Sequence, residues 1–515
     1  MPPSLRPTTP AMPRTLASPV PMGRSILRAI HSLLPSLERA AVWAPLIVGL
    51  GLGLWGITGP SAWTDEIVTL DVAHRSWPQL MELLGHVDAV HGLHYVLMYL
   101  VGQAVGVGEF TMRLPSAVAV AVAAAGLSWL GRLLGGPRLG LYAGLLLAVL
   151  PTASRYAQEA RSFAFVMAVA VLATGALIKA LSGHARWSAG YAVLIALLGW
   201  FNVMGLLLVA AHAVTVALRR PARRRVLIRL LSAQAAGIAA VIPLLVLGFS
   251  QRSAVGEAPP ITATTPYNYL TWLLTPGQDT LPNALKLLLT LTALAAVALL
   301  IARRRKAPPL LLAVGVPWLA VPPLLLLGLS LDQPLFAYRY LLFCLPALAL
   351  LLAAAATVLP WPKQLLLALL LTVPIAVSHL AIRQQDSRHW DTTAVLTTLQ
   401  GRAASGDGVL FSGGRCDLIP SAYPEDFAHL PDLGTTRTAA ERGTLDNQPA
   451  DQALLDQRLA RAPRVWHITC RHISSGSRQA AARTAASQEQ ALTRAGLSPG
   501  YHRSARDLEI TLCQR

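Results

Sequence analysis

The chain has 515 residues, 54% of them hydrophobic and only 13% charged, a composition that excludes an ordinary soluble globular protein. Its formal net charge is +18. The basic residues fall in short clusters between apolar runs, as in loops that meet anionic lipid, so nucleic acid is not the implied partner.

Residues 1–40 carry Arg6, Arg14, Arg24, Arg28 and Arg39 against the single acid Glu38, with seven prolines before position 22. A disordered cytoplasmic tail is expected there. The first long apolar run begins near Ala41, too late for a cleavable signal peptide, and reads as a retained anchor. Further runs of spanning length lie at about 113–132, 138–152, 162–182, 186–201, 203–218, 226–249, 281–301, 308–330, 340–358 and 363–381. Arg132 with Arg138, Arg186, the cluster Arg219 to Arg229, Arg303 to Lys306, and Lys363 fall between alternate runs. Setting all of them inside predicts about eleven spans with the N-terminus in and the C-terminus out. The segment His91 to Gly108 is apolar enough to count as one more span, but counting it would put the strongest basic loop outside. It is therefore read as an interfacial or re-entrant helix within a long first external loop, 60–112.

The expected fold is thus a polytopic α-helical membrane domain over 41–383, followed by a small external α/β domain over 384–515. In the latter, 408–414, 464–470 and 508–515 read as strands and 478–495 as a helix. No tandem repeat is visible.

Two segments on the expected external face carry chemistry. Ala62-Trp63-Thr64-Asp65-Glu66 sets adjacent carboxylates at a membrane edge, where they need water, a cation or a substrate, or form an ordinary solvated pair. Arg155-Tyr156-Ala157-Gln158-Glu159-Ala160-Arg161-Ser162 sets two arginines on the side where the charge bias disfavours them. Arginine binds phosphate bidentately, so an anionic lipid substrate explains them; an Arg–Glu pair stapling helix ends is the simpler reading. Arg113 and Arg339, the latter followed by Tyr340, start two more helices on that face. Singly, each reads as a snorkelling arginine. His91 and His94, three apart on a helix, could share a ligand, but no third metal ligand is identifiable, so no metal is assigned and a divalent cation stays open. His212, inside an apolar run, reads as a satisfied buried histidine.

Together, WTDE after the first run, RLPSA at the entry to the next, P-x-x-x-RYAQEARSFA, AHAV at His212 and P-x-x-x-YRYLLFCLPAL resemble the GT-C glycosyltransferases over residues 41–385. The similarity is greatest to their actinobacterial mannosyltransferase-like branch, with protein O-mannosyltransferases and aminoarabinose transferases more distant. The resemblance implies an active site over the first external loop, at the outer face of the plasma membrane. It also implies a polyprenyl-phosphate-linked sugar donor, with mannose the best match, and inverting transfer to a glycan, lipoglycan or protein acceptor. On that likeness Asp65, with Glu66 beside it, is the loop carboxylate and base. Glu159 is the second-loop acid, and Arg113, Arg161 and Arg339 face the phosphate, with Arg155, Tyr156 and Tyr340 beside them. His91-Gly92-Leu93-His94-Tyr95 stands where relatives have an HPPLYY-like or GLYY segment, so both histidines become substrate-contact candidates. A secondary transporter, or a non-catalytic subunit that binds envelope glycan, would also place charge on one face.

Four cysteines, Cys344, Cys416, Cys470 and Cys513, show no CxxC spacing, which excludes a zinc ribbon or a thioredoxin-type site. If the strands ending near Cys416 and Cys470 are parallel neighbours, their sulfurs emerge at one end and form a disulfide; otherwise Cys470–Cys513 is the next pair.

Overall fold

A computed structural model describes residues 42–219, 224–251, 260–277, 281–306, 308–471 and 478–515, with the side chains of 478–482 left out. The expected tail 1–40 and part of the basic cluster at 219–229 lie outside the described residues. Every apolar run read from the sequence is helical: Val42–Leu54, Glu109–Gly135, Pro137–Val149, Phe163–Leu181, Arg186–Phe201, Val203–Arg219, Arg224–Ser250, Asn283–Ala302, Pro309–Leu329, Tyr338–Thr357 and Trp361–Ala381. Among the described residues, seven of these are long and apolar enough to cross a membrane; Val42–Leu54, Pro137–Val149, Arg186–Phe201 and Val203–Arg219 are shorter. The chain is a polytopic helical membrane protein.

Burial separates inner helices from outer ones. In Phe163–Leu181 and Tyr338–Thr357, 78% of the apolar window is buried within the protein, against 17% in Trp361–Ala381, whose leucines are left for lipid. Lipid tails give apolar faces no reason to separate from them, so helices here associate through close contact of small residues. The hairpin of Glu109–Gly135 and Pro137–Val149 shows this. A Cβ on Gly131 would stand 2.8 Å from the Gly140 Cα, and one on Gly144 would stand 2.7 Å from the Ala124 carbonyl oxygen. One polar chain inside the bundle is fully paired: Gln234 donates to Tyr191 at 3.1 Å, Tyr191 to His212 Nδ1 at 2.9 Å, and His212 Nε2 to Thr174 at 3.0 Å. Both ring nitrogens of His212 are thereby satisfied, as hydrocarbon surroundings require.

Arg138 Nη2 donates to Gln364 at 3.0 Å, so the turn after Glu109–Gly135 meets the start of Trp361–Ala381. Asp65 and Arg161 face each other, Arg339 lies over the Trp63 ring, and the C-terminal part, 384–515, packs on the loop 60–112. That loop folds into helices Thr64–His74, Trp77–His86 and Gly92–Val105. Trp77–His86 starts at a capping box, in which the Ser76 backbone N–H donates to Gln79 Oε1 at 3.0 Å.

Among the described residues, six strands form in the C-terminal part: β1 Gly408–Ser412, β2 Thr435–Arg437, β3 Gln448–Pro449, β4 Arg464–Cys470, β5 Ser498–Ala505 and β6 Leu508–Gln514. The main sheet runs β1-β4-β6-β5, with β1 parallel to β4 and the other pairs antiparallel. Parallel pairing brings Cys416, just beyond β1, to the edge where β4 ends, and a disulfide joins it to Cys470 across 6.4 Å between Cα atoms. Cys513 pairs with Val465 at the opposite end of β4, out of reach of Cys470. One hydrophobic core crosses the expected boundary at 384: Ile67, Leu70 and Leu83 of the first loop pack with Trp390, Ile419 and Trp466. Loop and C-terminal part are one folded layer on the bundle.

Candidate active site

Thr64–His74 begins directly after Trp63, so Asp65 and Glu66 occupy its first turn, where carboxylates suit the helix dipole. Neighbours on a helix point roughly 100° apart, and the two acids accordingly go separate ways. Glu66 is buried and receives a forked bond from Arg113: Nε to Oε1 at 2.7 Å and Nη2 to Oε2 at 2.9 Å. The Ala160 backbone N–H adds a third bond at 3.0 Å. Burial pushes the Glu66 carboxyl up, but the Arg113 charge and hydrogen bonds outweigh it and hold the group below its ordinary range. Arg113 in turn donates to the carbonyls of Ile57 and Pro60 and to Glu109, and Glu109 accepts from Tyr423 of the C-terminal part at 2.7 Å. A buried polar chain thus runs from the DE pair to the C-terminal part.

Asp65 keeps 20% of its side chain exposed and faces Arg161, Nε to Oδ2 at 3.7 Å. Burial raises its carboxyl, yet the nearby Arg161 and Arg339 charges more than offset this, so it is ionised at neutral pH. Arg161 sits in the tight turn between Pro151–Ala157 and Phe163–Leu181. That turn is pinned through Ala160, whose carbonyl accepts from Thr69 at 3.0 Å and from His94 Nε2 at 3.1 Å. The Arg161 guanidinium also reaches Tyr95 Oη and His91 Nε2, each at 3.4 Å. Tyr95 donates to Asp88 at 2.6 Å. Asp88 has φ of 62°, a left-handed conformation uncommon outside glycine and often found at functional sites.

From the bundle side, Arg339 lies 5.8 Å from the Trp63 ring and 5.7 Å from that of Tyr340, with no hydrogen bond to the protein among the described residues. Tyr156 is buried edge-on against Phe163 and Trp272, which makes it part of the wall. Glu159 is buried with both oxygens unpartnered. Burial pushes its carboxyl up to about 6 in spite of the Arg155 and Arg388 charges nearby. Arg388 is itself buried; its Nη2 donates to the carbonyls of Gln158 and Arg155 at 3.4 and 3.5 Å, and its Nε and Nη1 have no partner.

Asp65, Arg161, His91 and Arg339 are therefore brought together, and the turn that carries Arg161 is tied to His94 through the Ala160 carbonyl. Glu66 and Arg113 are turned onto each other. With four acceptors already around a fully buried guanidinium, the expected phosphate contact at Arg113 gives way to an internal ion pair. Arg155 sits with Glu159 and Arg388 instead of with Asp65. Sequence reading missed Asp88, Glu109, Arg388 and Tyr423. Asp88, three residues before His91, was the one with a local signal. Among the described residues no three His, Cys, Asp or Glu groups converge, and the Arg161 guanidinium faces Asp65.

No family model matches the chain, and no curated protein matches it in sequence. Solved structures do match in fold. ArnT from Cupriavidus metallidurans bound to undecaprenyl phosphate aligns at 12% identity and TM-score 0.54, over 92% of this chain and 97% of that one. Its apo form aligns at TM-score 0.55. The mycobacterial arabinofuranosyltransferase AftD aligns at 16% identity and TM-score 0.50, over 91% of this chain and 40% of that one. These neighbours are GT-C superfamily members, and the chain has the GT-C fold.

Proposed function

We propose that this protein is an inverting membrane glycosyltransferase that moves a sugar from a polyprenyl-phosphate carrier to a cell-envelope acceptor, at the outer face of the plasma membrane. The observation that carries the reading is the convergence of an ionised, partly open Asp65 with Arg161 and Arg339 at one end of a GT-C bundle. It is supported by the solved likeness to ArnT, whose structure contains undecaprenyl phosphate. Mannose is the sugar suggested by the sequence motifs.

In the proposed reaction an acceptor hydroxyl attacks the anomeric carbon while its proton passes to Asp65, and the carbon–oxygen bond to phosphate breaks on the opposite side. The electron pair leaves with the lipid phosphate, where Arg161 and Arg339 stabilise it. A phosphate leaving group needs no general acid. One displacement inverts the anomeric centre. Glu66 and Arg113 build the site without touching substrate, and Glu159 is a buried acid behind Arg161. On this reading the chain passes the membrane about eleven times, with the basic loops inside and 384–515 outside.

The test is a cell-free assay in membranes with radiolabelled polyprenyl-phosphate mannose. Transfer of label by the wild type, lost in Asp65→Asn, supports the reading; equal transfer by both sinks Asp65 as base. Label bound but never transferred favours a glycan-binding subunit.

A further inference from the structure

The ends of four helices, Glu109–Gly135, Pro137–Val149, Pro309–Leu329 and Tyr338–Thr357, surround one cavity that shares no residue with the Asp65 site. It has a volume of about 150 Å³, room for a phosphate group, and is lined by Gly135, Arg138, Leu139, Pro308, Ala354 and Thr357. Gly136, at φ of 94°, lets the chain reverse there. A Cβ on Gly135 would stand 2.6 Å from Leu139 and 3.3 Å from Pro308, so the absence of one brings these helix ends close enough to share the space.

Arg138 is the charged group of the cavity, and it is exposed. Its Nη2 donates to Gln364 Oε1 at 3.0 Å and its Nε to Tyr142 Oη at 3.3 Å, while Gln364 is itself held by a 2.7 Å bond to the Leu359 carbonyl. These partners are neutral. They orient the guanidinium and leave its charge uncompensated, with Nη1 making no hydrogen bond among the described residues. The sequence around the lining residues is one-sided in charge as well. Segments 131–143, 298–310 and 354–366 carry Arg132, Arg138, the run Arg303 to Lys306, and Lys363, with no Asp or Glu. The basic tail 1–40 has the wrong sign to balance them. Next to this cation lies open apolar surface: Trp361–Ala381, the helix that supplies Gln364, leaves Leu365, Leu366, Leu369 and Leu370 each more than half exposed. An anion with a hydrocarbon tail satisfies both features at once, whereas a free ion has no use for the leucines.

We infer that this cavity binds an anionic phospholipid, whose phosphate pairs with Arg138 while an acyl chain runs along the exposed leucines of Trp361–Ala381. Arginine suits a phosphate oxygen pair through its planar fork, and basic pockets between helices are where such head groups settle. The bound lipid joins the Glu109–Val149 hairpin to the last apolar helix, which packs little of its own surface against the protein. The inference stands independently of the glycosyltransferase reading.

The experiment adds dioleoylphosphatidylglycerol or dioleoylphosphatidylcholine to full-length protein in detergent and counts bound lipid by native mass spectrometry. Wild type should retain the glycerol lipid in preference to the choline lipid. Arg138→Gln is expected to weaken phosphatidylglycerol about tenfold, the size of a lost charged hydrogen bond, and to leave phosphatidylcholine unchanged. Arg138→Lys should recover part of the loss. Thr357→Phe, which fills the cavity without altering charge, should weaken phosphatidylglycerol too. Arg186→Gln removes an exposed cation outside the cavity and should bind as wild type does. Equal losses in Arg138→Gln and Arg186→Gln would reduce the effect to net charge and overturn the site. Unchanged binding in Arg138→Gln, or in a folded Thr357→Phe protein, also overturns it, and because Arg138 is exposed its variants decide the matter even if Thr357→Phe does not fold. Displacement of the lipid by inorganic phosphate would make this a free-phosphate site and remove the lipid as occupant.

Discussion

Arg113→Leu distinguishes a structural DE pair from a catalytic one. The substitution leaves Glu66 buried with one remaining donor, the Ala160 N–H. Removing one partner of a buried ion pair costs about 3–5 kcal/mol. The carboxyl can escape by taking a proton; from its ordinary value of 4.5 that costs about 4 kcal/mol at a pH of about 7.5, at about 1.4 kcal/mol per unit. The two routes agree, so the variant should be roughly 4 kcal/mol less stable. In wild type the folded value of Glu66 lies below its ordinary one, so the pair contributes stability above the unfolded value and loses it as pH falls through the folded value. In the variant the folded value is raised, so the deficit should shrink as pH falls toward 4.5. Glu66→Leu with Arg113→Leu should recover most of the loss, since an apolar pair carries no desolvation penalty. Thermal inactivation of purified protein in nanodiscs, followed by tryptophan fluorescence across pH, reads these differences. An Arg113→Leu protein with wild-type stability and lost donor affinity would refute the reasoning and return Arg113 to the phosphate.

Four further outcomes are expected. Asp65→Asn should bind donor at least as well as wild type, because a carboxylate competing for Arg161 is gone, while turnover falls about a hundredfold or more; single-turnover kinetics separate the two. Arg161→Ala should lose both donor affinity and rate, and unchanged affinity would leave Arg161 as a structural partner of Asp65. Glu159→Gln should stabilise the protein by about 2 kcal/mol at neutral pH, because burial holds the folded carboxyl at about 6 against 4.5. A raised acid value means wild-type stability falls as pH rises from 4.5 to about 6, so the Gln advantage should vanish below 4.5 in a pH series of melting curves. Single cysteines at Ser76 and His184 should label from opposite faces; labelling of both from the same face would overturn the orientation.

Apolar run length was enough, without coordinates, to mark the helices. Lipid penalises charge and unpaired backbone wherever they fall, so each run declares itself locally. RYAQEARS stood out as arginines on the side where the charge bias disfavours them, and WTDE as adjacent carboxylates at a membrane edge. The strands that carry Cys416 and Cys470 were readable as short β-branched and aromatic runs, but their parallel pairing was not. The division of labour between Asp65 and Glu66 was not legible either. Both acids stand in the same first turn, and only the position of Arg113, 47 residues away, takes one and leaves the other open. The separation of 41–383 from 384–515, drawn from composition, missed the shared core, because Ile67 and Trp466 are ordinary apolar residues until the fold sets them together. Arg388 and Tyr423 stand in segments that read as ordinary polar loops. What they do depends on charges far away in sequence, and electrostatic contact between distant residues leaves no periodic mark on the chain; only the tertiary structure decided it.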